Sequence, residues 1–105
     1  MTYRTRLEGD CDALTTPGDA NVHKLKDLVH GIWADDVYCD SISFLNGNAT
    51  GGANLWVGVN GKATYVLAPG ADVTFTKVKP GNCGVLDKGT AGTLIYAFGG
   101  EPASV

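Results

Sequence analysis

Apolar and polar residues alternate most clearly over residues 55–78. Leu55, Val57 and Val59 alternate with Trp56 and Gly58, Tyr65 and Leu67 with Thr64 and Val66, and Val73 and Phe75 with Asp72, Thr74 and Thr76. A period of two sends successive side chains to opposite faces, so each run predicts a strand with one face on a core. Asn60-Gly61 between the first two runs is a hairpin signal, because a type I′ turn needs positive φ at both central positions. Pro69-Gly70 separates the second run from the third. There Pro69 presets φ and Gly70 accepts the positive φ required at the next position of a type II turn. The stretch predicts a three-stranded meander.

On either side the pattern is shorter. Residues 37–45 read as a strand burying Val37, Cys39, Ile42 and Phe44, and the change of parity between Cys39 and Ile42 calls for a bulge or a bend. Residues 46–54 are small, polar and turn-prone, and belong at the surface. Lys79-Pro80-Gly81-Asn82 and Asp87-Lys88-Gly89 are turns around a short strand at 83–86. The last run, 93–98, has Leu94, Tyr96 and Phe98 on one side and Ile95 and Ala97 on the other, which suits a central strand. Residues 22–33 fit two templates. Val22, Leu25, Leu28, Val29, Ile32 and Trp33 have helical spacing with Asp19 as a cap, whereas Gly31 and the β-branched Val29 and Ile32 favour a strand. The reading adopted is a strand over 28–33.

Seven or eight short strands closed by tight turns predict an all-β, single-domain antiparallel β-sandwich or jelly-roll-like barrel over 22–98. An extended N-terminal arm, 1–21, precedes it and a tail, 99–105, follows. The arm has few apolar side chains and adds little core; it either frays or lies on another surface. The tail is expected to be mobile unless a partner holds it.

Composition narrows the class. A chain of 105 residues builds one core, and fifteen glycines and four prolines among short β runs fit tight turns better than helices. A net charge of −3 with eight scattered basic residues argues against nucleic acid or an anionic membrane as partner. Residues 1–8 contain no apolar stretch, and no run approaches the ~20 apolar residues of a membrane span, so synthesis in a cytosol is expected. Cys11, Cys39 and Cys83 are odd in number and widely spaced, which reads as reduced, buried thiols.

Candidate chemistry is sparse. His23 and His30 flank Asp27 at a spacing unsuited to one metal ion, and Asp35, Asp36 and Asp40 lack the ligand alternation of a calcium loop. No cysteine lies in a nucleophile signature, and there is no phosphate loop, nucleophile elbow or dinucleotide fingerprint. Asn48-Ala49-Thr50 matches a glycosylation acceptor only by letter. No enzyme activity, metal or cofactor is expected. Trp56 is out of phase with Leu55, Val57 and Val59, so it faces a second layer, a sugar or a protein partner.

The order of 41–46, a Gly-rich loop, 55–61, 65–75 and 89–96 resembles the small β-sandwich accessory proteins of tailed bacteriophage virions. The likeness covers about residues 40–98 and is one of pattern, with no catalytic motif. It implies a cement or decoration protein on the major capsid protein lattice, a homo-oligomer with trimers foremost, located on the virion after synthesis in the host cytoplasm. A head-to-tail connector or tail protein is the structural alternative. A carbohydrate-binding module using Trp56 or Trp33 is the alternative of another class. The residues expected to meet a partner are Tyr3, Arg4, Arg6 and Leu7 of the arm, together with Trp33 and Trp56.

Overall fold

A computed structural model describes residues 12–29, 37–99 and 103–104 of the protein. The elements in chain order are β1 (Asp12–Thr15), β2 (His23–Lys24), α1 (Leu25–Leu28), β3 (Val37–Asn46), β4 (Leu55–Gly58) and β5 (Tyr65–Leu67). They are followed by β6 (Asp72–Val78), a 3₁₀ turn (Pro80–Asn82), β7 (Gly84–Leu86), β8 (Thr93–Gly99) and β9 (Ala103–Ser104). The strands form two antiparallel sheets, one in the order β1-β8-β3-β6 with β9 also on β3, the other in the order β2-β7-β4-β5. The mostly β class expected from the alternation holds.

β3 is the long central strand. Ile42 and Phe44 are fully buried, opposite Phe75 and Val73 on β6, and Phe44 stands opposite Tyr96 on β8. The expected change of parity is present, since Cys39 and Ile42 are both buried. The register against β6 is the same on both sides of it, Cys39 opposite Val78 and Ser41 opposite Thr76. No residue is inserted, so the feature is a bend, and Lys77 at φ 52° marks it on the partner strand. On β8, interior in its sheet as expected, Leu94 and Tyr96 are buried; the side chain of Phe98 lies outside the described part. Leu55, Val57, Leu67 and Val85 of the second sheet join Leu14, Ile42, Phe44, Leu94 and Tyr96 of the first in one core, with Leu25, Cys39 and Cys83 closing it.

Several expectations need correction. β5 and β6 are not neighbours: β5 ends one sheet and β6 ends the other, so the chain crosses between sheets at Pro69-Gly70 instead of continuing a meander. The turn chemistry itself is as read, with Gly70 at φ 84° and Ala71 N–H donating to the Ala68 carbonyl at 2.8 Å. Asn60 and Gly61 also take positive φ, 55° and 75°, with Lys62 N–H donating to Val59. A two-residue loop there would set Val57 opposite Thr64, yet Val57 pairs with Tyr65. The extra residue lets 59–64 leave the ladder and fold over the sheet.

Over residues 22–29 neither template holds throughout. Val22 is exposed, His23 and Lys24 pair with Val85 and Gly84, and Leu28, assigned to a strand, closes a single helical turn. Pairing to β7 captures the start of the segment, and Leu25, fully buried, anchors the turn through its N–H to the Cys83 carbonyl at 2.8 Å. Residues 30–36, including Trp33, lie outside the described residues. The first sheet begins inside the segment read as an arm, since Leu14 and Thr16 are buried and β1 pairs with β8. Of the tail, Ala103 and Ser104 pair with the chain's own β3, Ala103 opposite Tyr38 and Ser104 opposite Val37.

Candidate functional site

The outward face of the second sheet carries the surface that stands out. Trp56 lies opposite Val66 on β5 and Leu86 on β7, and cross-strand partners share a face. Leu55 and Val57, its neighbours in β4, point the other way and are fully buried. Trp56 therefore faces away from the other sheet, in a row of Val66, Trp56 and Leu86. Val66 is 55% exposed, while Trp56 and Leu86 are half-buried. The row ends where Gly58 and Gly84 meet across the ladder. Both are buried because the 59–64 segment lies over them: a Cβ on Gly58 would come within 2.5 Å of the Lys62 carbonyl oxygen, and one on Gly84 closer still. One half of the face is covered by backbone and the other is left to the aromatic row.

The charge on this face has one sign. β2, β4, β5 and β7 contain no Asp or Glu. Lys24 extends the outward row past Gly84, and the Lys88 ammonium sits 4.2 Å from the centroid of the Trp56 ring. Such a cation–π contact contributes about 0.5–1 kcal/mol at an exposed site and covers one ring face. Tyr65, read as a core residue, is 53% exposed. Its phase is inward, but β5 is an edge strand, so its ring closes the side of the core against Phe75 at 5.2 Å.

Buried polar groups hold the loops around this frame. Asn46, expected in a surface loop, is 1% exposed. Its amide donates to the carbonyls of Ala53 at 3.0 Å and Leu67 at 2.8 Å, and its Oδ1 accepts the Asn48 N–H at 2.9 Å. Asn48 in turn donates to Ala53 and accepts from Thr93 N–H, both at 2.9 Å. Asp87, 4% exposed, accepts Gly18 N–H at 2.6 Å and Gly89 N–H at 2.9 Å. Burial works to raise its pKa, yet the hydrogen bonds from Gly89, the Thr16 hydroxyl and Gly18 outweigh it and hold the carboxyl below the usual range. Asp19 accepts Asn21 N–H and contacts His23 Nε2, both at 2.9 Å, and the Asn21 bond first and the His23 contact next lower its pKa. Both carboxylates act as loop clips.

The thiols lie on the inside. Cys39 and Cys83 are buried and free, and desolvation pushes them up to about 11 and about 12, so neither forms a thiolate near neutral pH. Among the described residues no group of three or more His, Cys, Asp and Glu could hold a metal ion, and no helix is long and apolar enough to cross a membrane. Of the metal patterns considered, His30, Asp35 and Asp36 lie outside the described residues. So do Tyr3, Arg4, Arg6, Leu7, Trp33 and Cys11. Of the six residues expected to meet a partner, the structure places Trp56 alone, and it joins to it Val66, Leu86 and Lys88. Val66 was legible from its phase in β5; Leu86 and Lys88 were not, since only the pairing of β4 with β7 brings them to Trp56.

Comparison with protein-family models, with curated proteins and with solved structures finds no match to this chain.

Proposed function

We propose that this chain is a non-enzymatic decoration protein of a tailed-phage capsid, binding the major capsid protein lattice through the outward face of its second sheet. Its two sheets then form a β-sandwich of the jelly-roll kind. Strand order supports the fold. β1-β8-β3-β6 against β2-β7-β4-β5 is what results when eight antiparallel strands are wound as two Greek keys, an architecture that viral capsid domains and lectins use.

The outward row of Val66, Trp56 and Leu86 carries the functional reading. A Trp set between aliphatic side chains on a rigid sheet is the composition of a protein-binding anchor, and Lys24 and Lys88 beside it suit a partner surface bearing carboxylates. The pattern likeness over 40–98 supplies the partner class, and the mildly acidic chain suits the outside of a shell. In a lattice each contact is repeated, so even ~1 kcal/mol per site accumulates through linked binding. A trimer is the assembly this reading favours. A sugar platform would use the same indole, but Lys88 occupies one ring face, and the strand residues around Trp56 include no carboxylate or amide to hold sugar hydroxyls.

The test is co-sedimentation of the purified protein with phage heads that lack it. Hundreds of copies per head, with raised resistance of the heads to heat, are expected. Trp56→Ala is expected to weaken binding roughly 30-fold, the equivalent of about 2 kcal/mol, with an unchanged melting profile. A handful of copies at one vertex would move the protein to a connector or tail role. Absence of head binding together with glycan-array signal that requires Trp56 would replace the reading with the carbohydrate module.

A further inference from the structure

β6 ends its sheet and is the longest of the four edge strands, seven residues against four, three and two for β1, β5 and β2. Its phase shows which backbone groups are left over. Asn46 N–H donates to the Ala71 carbonyl, one step on from the Leu45–Asp72 pair. Hydrogen-bonded and non-bonded pairs alternate in an antiparallel ladder, so Val73 and Phe75 bond to β3 while Asp72, Thr74 and Thr76 turn their N–H and C=O groups to the free edge. Among the described residues nothing pairs with that edge. It has no proline and no inward-pointing charge through 72–76, the usual devices that keep an edge strand from accepting another chain. Phe75 and Val73 are only partly buried along it, with Tyr65 exposed beside them.

The sequence before β1 matches this edge. Residues 2–8 alternate with a period of two, Tyr3, Thr5 and Leu7 against Thr2, Arg4, Arg6 and Glu8. One face would continue the apolar row of Val73 and Phe75. The other would bring Arg4 and Arg6 to the face carrying Asp72, Thr74 and Thr76, where Asp72 is the carboxylate.

We propose that residues 2–8 of one copy of this chain add as a strand to the free edge of β6 in a second copy. The donor has to be another molecule. β1 and β6 are the opposite edges of one sheet, so a strand beyond β6 lies four strand spacings from β1, about 19 Å. From Leu7 to Asp12 the chain advances five residues, at most about 18 Å when fully extended, and it would have to go around the sheet. The exchange joins an arm to an unlike surface, so it builds a ring, a chain or a reciprocal dimer. It does not depend on what the Trp56 face binds, and it is testable on the purified protein without phage heads.

The experiment is sedimentation of the full chain and two variants. Wild type is expected to sediment, with concentration dependence, at twice the 10.9 kDa of the chain or more. Tyr3→Asp/Leu7→Asp spoils the arm and keeps the edge; Thr74→Pro removes one outward N–H and keeps the bonds to β3. Each alone is expected to be monomeric, and an equimolar mixture to form a dimer with a single arm-to-edge junction. Hydrogen exchange on wild type gives an independent reading that needs no change in β6. The Thr74 and Thr76 amides are expected to exchange roughly 10-fold or more slowly in wild type than in the arm variant. A monomeric wild type, folded variants that fail to complement, or equal exchange at Thr74 and Thr76 in the two proteins would each overturn the proposal.

Discussion

Replacing Asn46 by Ala probes the polar group on which the crossing between sheets depends. The side chain is 1% exposed and makes three hydrogen bonds, two as donor and one as acceptor. Truncation takes the side-chain donor from Leu67 and the acceptor from Asn48 N–H, while Ala53 keeps the amide of Asn48 at 2.9 Å. Each buried group left short of a partner costs about 1–3 kcal/mol, so the loss is expected near 4 kcal/mol. That is a large part of the roughly 5–15 kcal/mol available to such a domain. Urea titration is the assay, read as a lower midpoint at unchanged m-value. Asn48→Ala, half-buried, should cost less. Because each single variant leaves the Ala53 carbonyl one amide donor and the double variant leaves it none, the double should lose more than the two singles together, by about 0.5–1 kcal/mol. A loss under about 1 kcal/mol for Asn46→Ala, or strict additivity with Asn48→Ala, would refute the network as the source of stability.

Three further outcomes follow from the same structure. Gly84→Ala drives a Cβ into the Lys62 carbonyl and should cost at least about 2–3 kcal/mol by thermal melt, whereas Gly51→Ala meets open space and costs only the strain of its φ of 88°. Asp87 has a lowered folded pKa, so its contribution is present above the ordinary carboxylate value near 3.9 and is lost as pH falls through the lower folded value. The stability difference between wild type and Asp87→Asn should thus be full at pH 7 and shrink below about pH 4; a gap that widens in acid would reverse the sign. Cys39 and Cys83, with thiols near 11 and 12, should resist a thiol reagent at pH 8 in the native protein and react on unfolding, as peptide mapping would show.

Local chemistry carried much of this fold in the order of residues alone. Alternation marked β4, β5, β6 and β8, and Asn60-Gly61 and Pro69-Gly70 adopt the positive φ values that their types suggest, because turn conformation depends on the few atoms of each residue. Even the bend in β3 was visible, since burying both Cys39 and Ile42 breaks a period of two. Partner choice was not legible. Nothing near Pro69-Gly70 says that the chain changes sheets there; that follows from Asn46, 24 residues upstream of Gly70, which accepts the Gly70 N–H. Likewise the helical spacing of the described residues 22–29 survives only as the turn Leu25–Leu28, because the pairing of His23 and Lys24 with β7 holds the start of the segment extended. Trp56 was recognisable as out of phase with its neighbours. That it faces outward, beside Leu86 and beneath Lys88, was decided by the β4–β7 register, which joins residues thirty positions apart and has no signature in either segment. The sequence by itself determined which residues turn and which alternate, as short-range sterics do; tertiary structure alone decided which strands meet, because long-range pairing is selected by the whole core at once.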